Sequence, residues 1–189
     1  MRPLSVSFYA RDTKLVAREL LGKLLMRYTS QGKLIGKIVE TEAYYGEEDP
    51  ASHSFKRKTK RSAIMWGPPG IAYVYFTYGM HFLLNVVTEK EGVPGAVLIR
   101  ALEPLEGIGI MRKNRKRESL TELTTGPARL TEAFAIDGSF NGRDLTKGEL
   151  VIIEGNKEVF EIERTSRRGI KKGLDRKLRF FIKGNPFVS

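Results

Sequence analysis

The sequence predicts a single α+β domain over residues 1–189, dominated by antiparallel strands, and three observations support this fold class. Several short apolar runs have strand-like composition, and turn residues separate neighbouring runs. Few stretches show the three- and four-residue spacing of an amphipathic helix. The 189 residues, 41% of them hydrophobic, are enough to bury one core, and no linker, repeat or low-complexity tract divides them.

The chain opens with a helix and a hairpin. Asp12 is a candidate N-cap for a helix over residues 13–21 that stops at Gly22. Residues 23–28 and 34–44 then form a predicted hairpin across a short polar turn. We expect this first helix to be scaffold.

A second hairpin follows a long loop. The loop, residues 45–69, is long for a compact domain, and such loops are often functional. Residues 71–77 and 80–88 are the predicted strands, with Tyr78 and Gly79 at the turn.

The second half of the chain is also predicted to contain both strands and helices. Residues 96–102 predict a buried strand whose one charge, Arg100, needs a partner, and Pro104 is expected to end it. Helices are predicted over residues 105–117 and from Pro127. Three further strands are predicted at residues 150–154, 159–164 and 178–183.

The charge balance favours an anionic partner. Lys and Arg total 33 against 22 Asp and Glu, which gives a net charge of +11 and a pI near 9.9. Nucleic acid is the commonest partner of such a protein, although a basic ribosomal or membrane-surface protein has a similar composition.

The cysteine and histidine content of the sequence excludes several kinds of site. The sequence has no cysteine, which excludes disulfides, zinc ribbons and thiol catalysis. Its two histidines cannot by themselves make a typical zinc site. With no membrane-length apolar run and no signal peptide, we expect a cytoplasmic protein.

Two carboxylates and a phenol share one strand face. Glu40, Glu42 and Tyr44 alternate along the second strand, so their side chains project from the same side. The two glutamates would lie roughly 7 Å apart at Cα, near the carboxylate spacing of inverting glycosidases. Pairs of surface glutamates are also common, and that alternative stays open.

The second hairpin is unusually aromatic. Tyr73 and Tyr75 share one face, and a tyrosine at the tip could wedge between base pairs and kink a duplex. Rings on the adjacent face could stack on an extruded base. An ordinary amphipathic sheet edge is the alternative.

Clustered cations could grip phosphates. The basic runs at residues 56–61 and 112–117 offer contacts that are independent of base sequence. Two functions fit these features: an enzyme acting on a base in nucleic acid, or a non-catalytic basic module that binds tRNA or distorted duplex. The carboxylate Glu42 discriminates between them, because binding alone does not require it.

Several segments resemble the alkyladenine (3-methyladenine) DNA glycosylases and follow one another along nearly the whole chain. They are residues 40–44 (ETEAY), 53–54 (HS), 73–80 (YVYFTYGM), 85 (N), 98–107 (LIRALEPLEG), 125–130 (TGPARL) and 179–186 (RFFIKGNP). The resemblance implies a compact, monomeric domain with a curved antiparallel sheet and helices around it, without metal or cofactor. It also implies base-excision repair of double-stranded DNA by release of alkylated purines, such as 3-methyladenine and 7-methylguanine, or deaminated and etheno purines.

The same resemblance implies roles for individual residues. Glu42 would be the general base for a bound water, held also by Arg100 and by the main-chain carbonyl of Thr165, and Glu40 would be structural. The residues implied to hold the flipped base are Tyr44, His53, Tyr75 and Asn85, the last implicated in rejecting the exocyclic amine of guanine. The residues implied to contact DNA are Tyr78, which would fill the gap in the duplex, and Arg61, Met65, Met80 and Arg129.

The chain departs from animal members of this family in three places. The loop from His53 to Arg61 is one residue shorter, and residues 165–168 are bulkier and more basic. The long N-terminal extension of animal members is missing, so we expect a bacterial-type core. We also expect this protein to be located in the cytoplasm, at the nucleoid. The two loop differences leave the loop geometry and the substrate range open, and the sequence does not rank the substrates.

Overall fold

The computed structural model describes residues 2–77 and 79–189, in which eight strands form one antiparallel sheet. The strands are β1 (Leu24–Thr29), β2 (Gly32–Tyr45), β3 (Ala72–Thr77), β4 (His81–Val87), β5 (Gly95–Glu106), β6 (Leu150–Ile153), β7 (Ile162–Thr165) and β8 (Arg179–Ile182). The α-helices in this part of the chain are α1 (Val6–Tyr9), α2 (Thr13–Glu19), α3 (Ile108–Arg115), α4 (Thr121–Thr124) and α5 (Pro127–Ala133). The predicted α+β class with a curved antiparallel sheet is confirmed.

Strand β2 is the centre of the sheet. It pairs with β5 along its length, with β1 through its first half and with β8 through residues Glu40–Glu42. The sheet order is β3-β4-β5-β2-β1-β6, and β7 joins through β8. The β2–β5 register shifts near Ile38 and Glu40, and such irregularities bend a strand and increase its twist. One long strand thus pairs with β5 and with both β1 and β8, and its register shifts curl the sheet.

The helices pack against this sheet. Fully buried side chains such as Leu20, Ile38, Leu102 and Phe134 pack into one core that joins the helices to the strands. Helix α2 begins where the sequence predicts, because the Asp12 side chain accepts a hydrogen bond from the Leu15 N–H at 3.0 Å.

Most predicted elements are present, with differences at their ends. Both hairpins form, and Pro127 occupies the first turn of α5 as predicted. The expectation that Pro104 ends a strand is wrong, since β5 runs through it to Glu106. Pro104 pairs with Gly36 next to a register shift, where a missing N–H is tolerated in a sheet.

Other boundaries move for related reasons. Because β5 is longer than predicted, the following helix begins at Ile108 instead of residue 105. The predicted strand over 159–164 lies at Ile162–Thr165, where it pairs with β8. In the described part of the chain, no helix is long and apolar enough to cross a membrane.

Candidate active site

One row of cross-strand partners crosses six strands and contains three of the predicted site residues, Glu42, Asn85 and Thr165. Antiparallel pairing places these residues side by side, so their side chains emerge on the same face of the sheet. In order across the sheet the row is Tyr73, Asn85, Leu98, Glu42, Arg179 and Thr165. Residues separated by more than 120 positions in the sequence meet here only because of strand pairing.

A cavity of about 370 Å³ lies over this row. Such a volume falls within the range of small-molecule sites. Among the predicted residues, it is lined by Tyr44, His53, Met65, Tyr75, Asn85 and Arg100. The remaining walls include Tyr73, Leu98, Ala128 and the residues 168–170. The predicted base-binding residues therefore surround one space.

Glu42 is fully buried immediately behind this lining. Its Oε2 accepts a hydrogen bond from the Tyr44 hydroxyl at 2.7 Å, and its Oε1 accepts one from the Arg168 main-chain N–H at 2.7 Å. Arg100 Nη1 lies 3.4 Å from Oε1. A carboxylate has about four acceptor positions, so this arrangement leaves capacity for a further donor such as water.

Glu40 has a different environment. Its Oε1 accepts from Arg100 Nε at 3.0 Å and from Arg179 Nε at 2.6 Å, and its Oε2 accepts from the Ser189 N–H at 2.7 Å. Glu40 is completely buried. Buried charges require partners of this kind, so Glu40 holds two guanidinium groups in place. These contacts support the structural role expected for it.

Tyr44 is held as a hydrogen-bond donor to the carboxylate. Burial of the phenol, followed by the negative charge of Glu42, raises the pKa of Tyr44 far above its ordinary value. The hydroxyl therefore stays protonated across the physiological pH range.

His53, Tyr73 and Tyr75 form an aromatic cluster on one side of the cavity. The His53 ring meets Tyr75 edge-on, with 4.6 Å between ring centroids, and its Nδ1 lies 2.9 Å from the Tyr73 hydroxyl. Burial of the ring and the nearby charge of Arg61 lower the pKa of His53. The imidazole is neutral at pH 7.

Tyr73 is protonated beside His53. Burial raises the pKa of the Tyr73 hydroxyl, while the nearby charge of Arg61 acts in the opposite direction. The Tyr73 hydroxyl and His53 Nδ1 share one hydrogen bond, and the tautomer of His53 sets which of the two donates.

Sequence comparison identifies the kind of protein that carries this site. A sequence model of methylpurine-DNA glycosylases (MPG) matches residues 7–186. The chain belongs to the methylpurine-DNA glycosylase family. It is thus a DNA-repair glycosylase, and the resemblance noted in the sequence is confirmed.

Several bacterial relatives match over nearly their whole length, and each is named "Putative 3-methyladenine DNA glycosylase". The relative from Carboxydothermus hydrogenoformans is 52% identical over 184 residues, which cover 96% of each chain. That from Legionella pneumophila (strain Corby) is 47% identical over 193 residues, covering 100% of this chain and 99% of the relative. That from Koribacter versatilis is 45% identical over 194 residues, covering 100% and 94% respectively.

Asn85 and Thr165 lie on the cross-strand row of the glycosylase. Asn85 Nδ2 donates to the Tyr73 carbonyl at 3.0 Å, which fixes the amide in the cavity wall. Thr165 is two strands away from Glu42, or roughly 10 Å at Cα. Its hydroxyl accepts from Arg179 Nη1 at 3.1 Å. The role expected for its main-chain carbonyl stays a prediction.

The predicted DNA contacts of the glycosylase have different exposures. Arg61 and Arg129 are exposed, and Met80 is 67% exposed on the hairpin. Met65 is only 2% exposed and lies in the cavity wall, so it is placed to meet a base inside the cavity. The predicted wedge, Tyr78, lies outside the described residues.

The two basic runs of the glycosylase differ in how available their charges are. Five side chains of residues 56–61 are exposed cations, and one of them, Arg61, lies over the Tyr75 ring of the cavity wall at 4.6 Å. In the run 112–117, Arg112 pairs with Glu118 and Arg115 pairs with Glu132. These pairs partly neutralise the second run, which weakens the case for phosphate binding there.

Sequence reasoning missed several residues that hold the site together. Arg179 and Ser189 contact Glu40, and Asp49 forms a buried ion pair with Arg167 beside Tyr44. A single sequence contains no signal that pairs positions so far apart. In the described part of the chain, no cluster of three or more His, Asp or Glu side chains is arranged to hold a metal ion.

Proposed function

We propose that this glycosylase hydrolyses the N-glycosidic bond of a damaged purine that has been flipped out of double-stranded DNA. The substrates are alkylated purines such as 3-methyladenine and 7-methylguanine, or deaminated and etheno purines. Glycosylases must extrude the target base to reach it, and a weakly paired base costs least to extrude.

In the proposed step, Glu42 removes a proton from a water molecule as the water oxygen attacks C1′ of the sugar. The bond between C1′ and the purine nitrogen breaks, and its electron pair leaves with the base. The transition state resembles an oxocarbenium ion, which the buried carboxylate also stabilises. The products are the free base and an abasic sugar with a hydroxyl group at C1′.

The observation that carries this proposal is the environment of Glu42. Its carboxylate is fully buried, oriented by Tyr44 and the Arg168 N–H, and adjacent to a cavity of suitable size. Arg100 borders both the cavity and the carboxylate, so it is placed to help hold the water, with the Thr165 carbonyl as the third proposed anchor. Burying the charge of a carboxylate costs folding free energy, and the proposed catalytic role of Glu42 gives a reason for that cost.

The cavity walls suit a planar, electron-poor base. Tyr44, His53 and Tyr75 offer aromatic surfaces for stacking, and alkylated bases with a positive charge stack well on electron-rich rings. Because His53 is neutral, it adds no repulsive charge. We assign Asn85 the role of rejecting the exocyclic amine of normal guanine.

The positive charge of an alkylated base explains why one carboxylate is enough for its release. A 3-methyladenine base is cationic while attached to the sugar and leaves as a neutral molecule, so it needs no acid. A neutral purine such as hypoxanthine needs protonation as it leaves. We therefore expect cationic lesions to be released faster than neutral ones.

The second function weighed from the sequence, a non-catalytic nucleic-acid-binding module, accounts for the charge of the chain and its exposed rings. It gives no reason for a buried carboxylate held by a phenol and a main-chain N–H beside a cavity. Hydrolysis therefore explains more of the site than binding does.

We also propose for this enzyme the oligomeric state and the location that the sequence predicts. The enzyme acts as a monomer, without metal or cofactor, on cytoplasmic DNA at the nucleoid. Exposed cations near the cavity mouth would contact phosphates, so duplex affinity should fall with salt.

The decisive experiment compares the wild type with Glu42→Gln on duplexes containing 3-methyladenine or hypoxanthine. Loss of the general base should slow base release at least roughly 10²–10⁴-fold. Affinity for a duplex with a non-cleavable abasic analogue should change little, because glutamine keeps the shape of the side chain. Full base release by the variant would refute the assigned mechanism.

A further inference from the structure

A buried ion pair joins two loops beside the cavity. Arg167 Nη1 donates to Asp49 Oδ2 at 2.5 Å, and Arg167 Nη2 donates to Asp49 Oδ1 at 2.7 Å. Both side chains are fully buried. A bidentate pair of this kind fixes orientation as well as distance. Since the partners are 118 residues apart, the pair fastens two loops that the sequence leaves independent.

Arg167 also contacts the residue that donates to the catalytic carboxylate. Its guanidinium carbon lies 4.6 Å from the centroid of the Tyr44 ring, and its Nη1 donates to the Ala43 carbonyl at 2.9 Å. The flat guanidinium therefore supports one face of the phenol. Tyr44 uses its hydroxyl to donate to Glu42, so the orientation of that hydrogen bond depends on this support.

The residue after Arg167 makes the other short hydrogen bond to Glu42. The Arg168 N–H donates to Glu42 Oε1 at 2.7 Å. The peptide that carries this N–H joins Arg168 to Arg167, so anchoring the Arg167 side chain also fixes the donor. Both 2.7 Å donors to the carboxylate are thus held by one guanidinium.

Asp49 extends the same arrangement to the opposite wall. Its two oxygens accept from the main-chain N–H groups of Tyr45 and Ala51, at 3.1 and 3.2 Å. These bonds shape the turn that leads into His53, at the mouth of the cavity. The ion pair therefore connects the Glu42 side of the cavity with its aromatic side.

We propose that Arg167 and Asp49 act together as a positioning clamp, which holds the donors to Glu42 and the two sides of the cavity in register. The inference rests on the proposed function, and neither residue touches the reacting atoms. A buried ion pair is a weak source of net stability, so specificity of geometry is the better reason for its presence. Small displacements of catalytic groups reduce rates strongly.

The test uses Arg167→Lys, which keeps a cation next to Asp49 but loses the flat fork and its contact with Tyr44. Asp49→Asn, which is isosteric, is the second variant. Arg164→Lys is the matched control, because it makes the same replacement at an exposed arginine in the same segment. Three quantities are measured: the single-turnover release rate at saturating enzyme, the Kd for an abasic-analogue duplex, and amide exchange at Arg168 and at Ile99 in the core.

If Arg167 and Asp49 act as a clamp, Arg167→Lys and Asp49→Asn should each lower the release rate by about tenfold or more. The Kd of each variant for the abasic-analogue duplex should stay within about threefold of the wild-type value. Exchange at Arg168 should accelerate about tenfold relative to Ile99, and Arg164→Lys should change neither rate nor exchange. Wild-type rate and protection in Arg167→Lys would overturn the clamp. Equal acceleration at Arg168 and Ile99 would also overturn it, because the pair would then act only on global stability.

The failure of the clamp and the failure of the proposed function are distinguishable. If the wild type releases no base, the proposed function fails, and amide exchange at Arg168 still decides the clamp. If the wild type releases base and the lysine variant matches it in rate and exchange, the clamp alone fails.

Discussion

Arg100 is the side chain whose removal should affect this glycosylase most clearly. Its side chain is 11% exposed, and its guanidinium bridges two fully buried carboxylates. Nε lies 3.0 Å from Glu40 Oε1, and Nη1 lies 3.4 Å from Glu42 Oε1. We predict that Arg100→Met destabilises the fold and slows base release.

The expected loss of stability follows from burial. Removing one partner of a buried ion pair costs about 3–5 kcal/mol, because the remaining charge stays buried without compensation. Glu40 keeps Arg179 and the Ser189 N–H, so the lower part of that range applies here. For a chain of this length, each 1 kcal/mol lowers Tm by roughly 2–4 °C, so Tm should fall by roughly 6–12 °C.

An exposed ion pair provides the matched control. Lys183 pairs with Glu161 at 2.9 Å, but the two side chains are 54% and 70% exposed. Lys183→Met removes the same single charge, and because the pair is exposed to solvent, stability should stay close to that of the wild type. Urea unfolding and calorimetry of the two variants measure the difference directly.

A double-mutant cycle assigns the loss to the pair itself. In a Glu40→Gln background, Arg100→Met should cost less by about 1 kcal/mol or more, because one of the two buried charges is already gone. Single-turnover kinetics should show release slowed about 100-fold or more, since Arg100 also borders the proposed water site. A Tm change no larger than that of Lys183→Met, with wild-type kinetics, would refute the reasoning.

Two further substitutions test the base site and the duplex contact separately. Tyr44→Phe removes one hydrogen-bond donor to Glu42. A hydrogen bond to a charged group is worth about 1.5–3 kcal/mol, so base release should slow roughly ten- to hundredfold, with little change in duplex affinity. An unchanged release rate would show that this hydrogen bond does not orient the Glu42 carboxylate. Tyr78→Ala removes the ring expected to fill the gap in the duplex, so binding to lesion duplex should weaken, as measured by titration against undamaged duplex of the same sequence. Equal affinity of the wild type and the alanine variant for lesion duplex would argue against a wedge at this position.

Local sequence patterns predict the hairpins of this protein well. Hydrophobic alternation and turn residues place β1 with β2 and β3 with β4, and the Asp12 side chain caps its helix as its residue type suggests. These features depend on neighbours within a few positions, where single-sequence signals are strongest. The end of β5 was mispredicted because tolerance of Pro104 depends on its partner across the sheet.

The division of roles between the two glutamates depended on tertiary contacts. In the sequence, Glu40 and Glu42 are alike, and both lie on the same strand face. In the fold, Glu40 is occupied by Arg100, Arg179 and the Ser189 N–H, whereas Glu42 is placed behind the cavity with Tyr44 as its donor. Only family resemblance anticipated this difference.

The sequence by itself determined the fold class, the two hairpins, the family and the set of residue types at the site. The alternation of strands already placed Glu42 and Tyr44 on one face, and composition already indicated an anionic partner. These properties are local or additive along the chain, so no knowledge of distant pairing is needed to read them.

The tertiary structure decided which residues meet. The row from Tyr73 to Thr165 and the pair of Arg167 with Asp49 join positions that lie far apart in the chain. Strand pairing and loop closure set these distances, and both depend on the whole fold. The carboxylate becomes a candidate base because contacts from three separate segments bury it, orient it and place it beside a cavity.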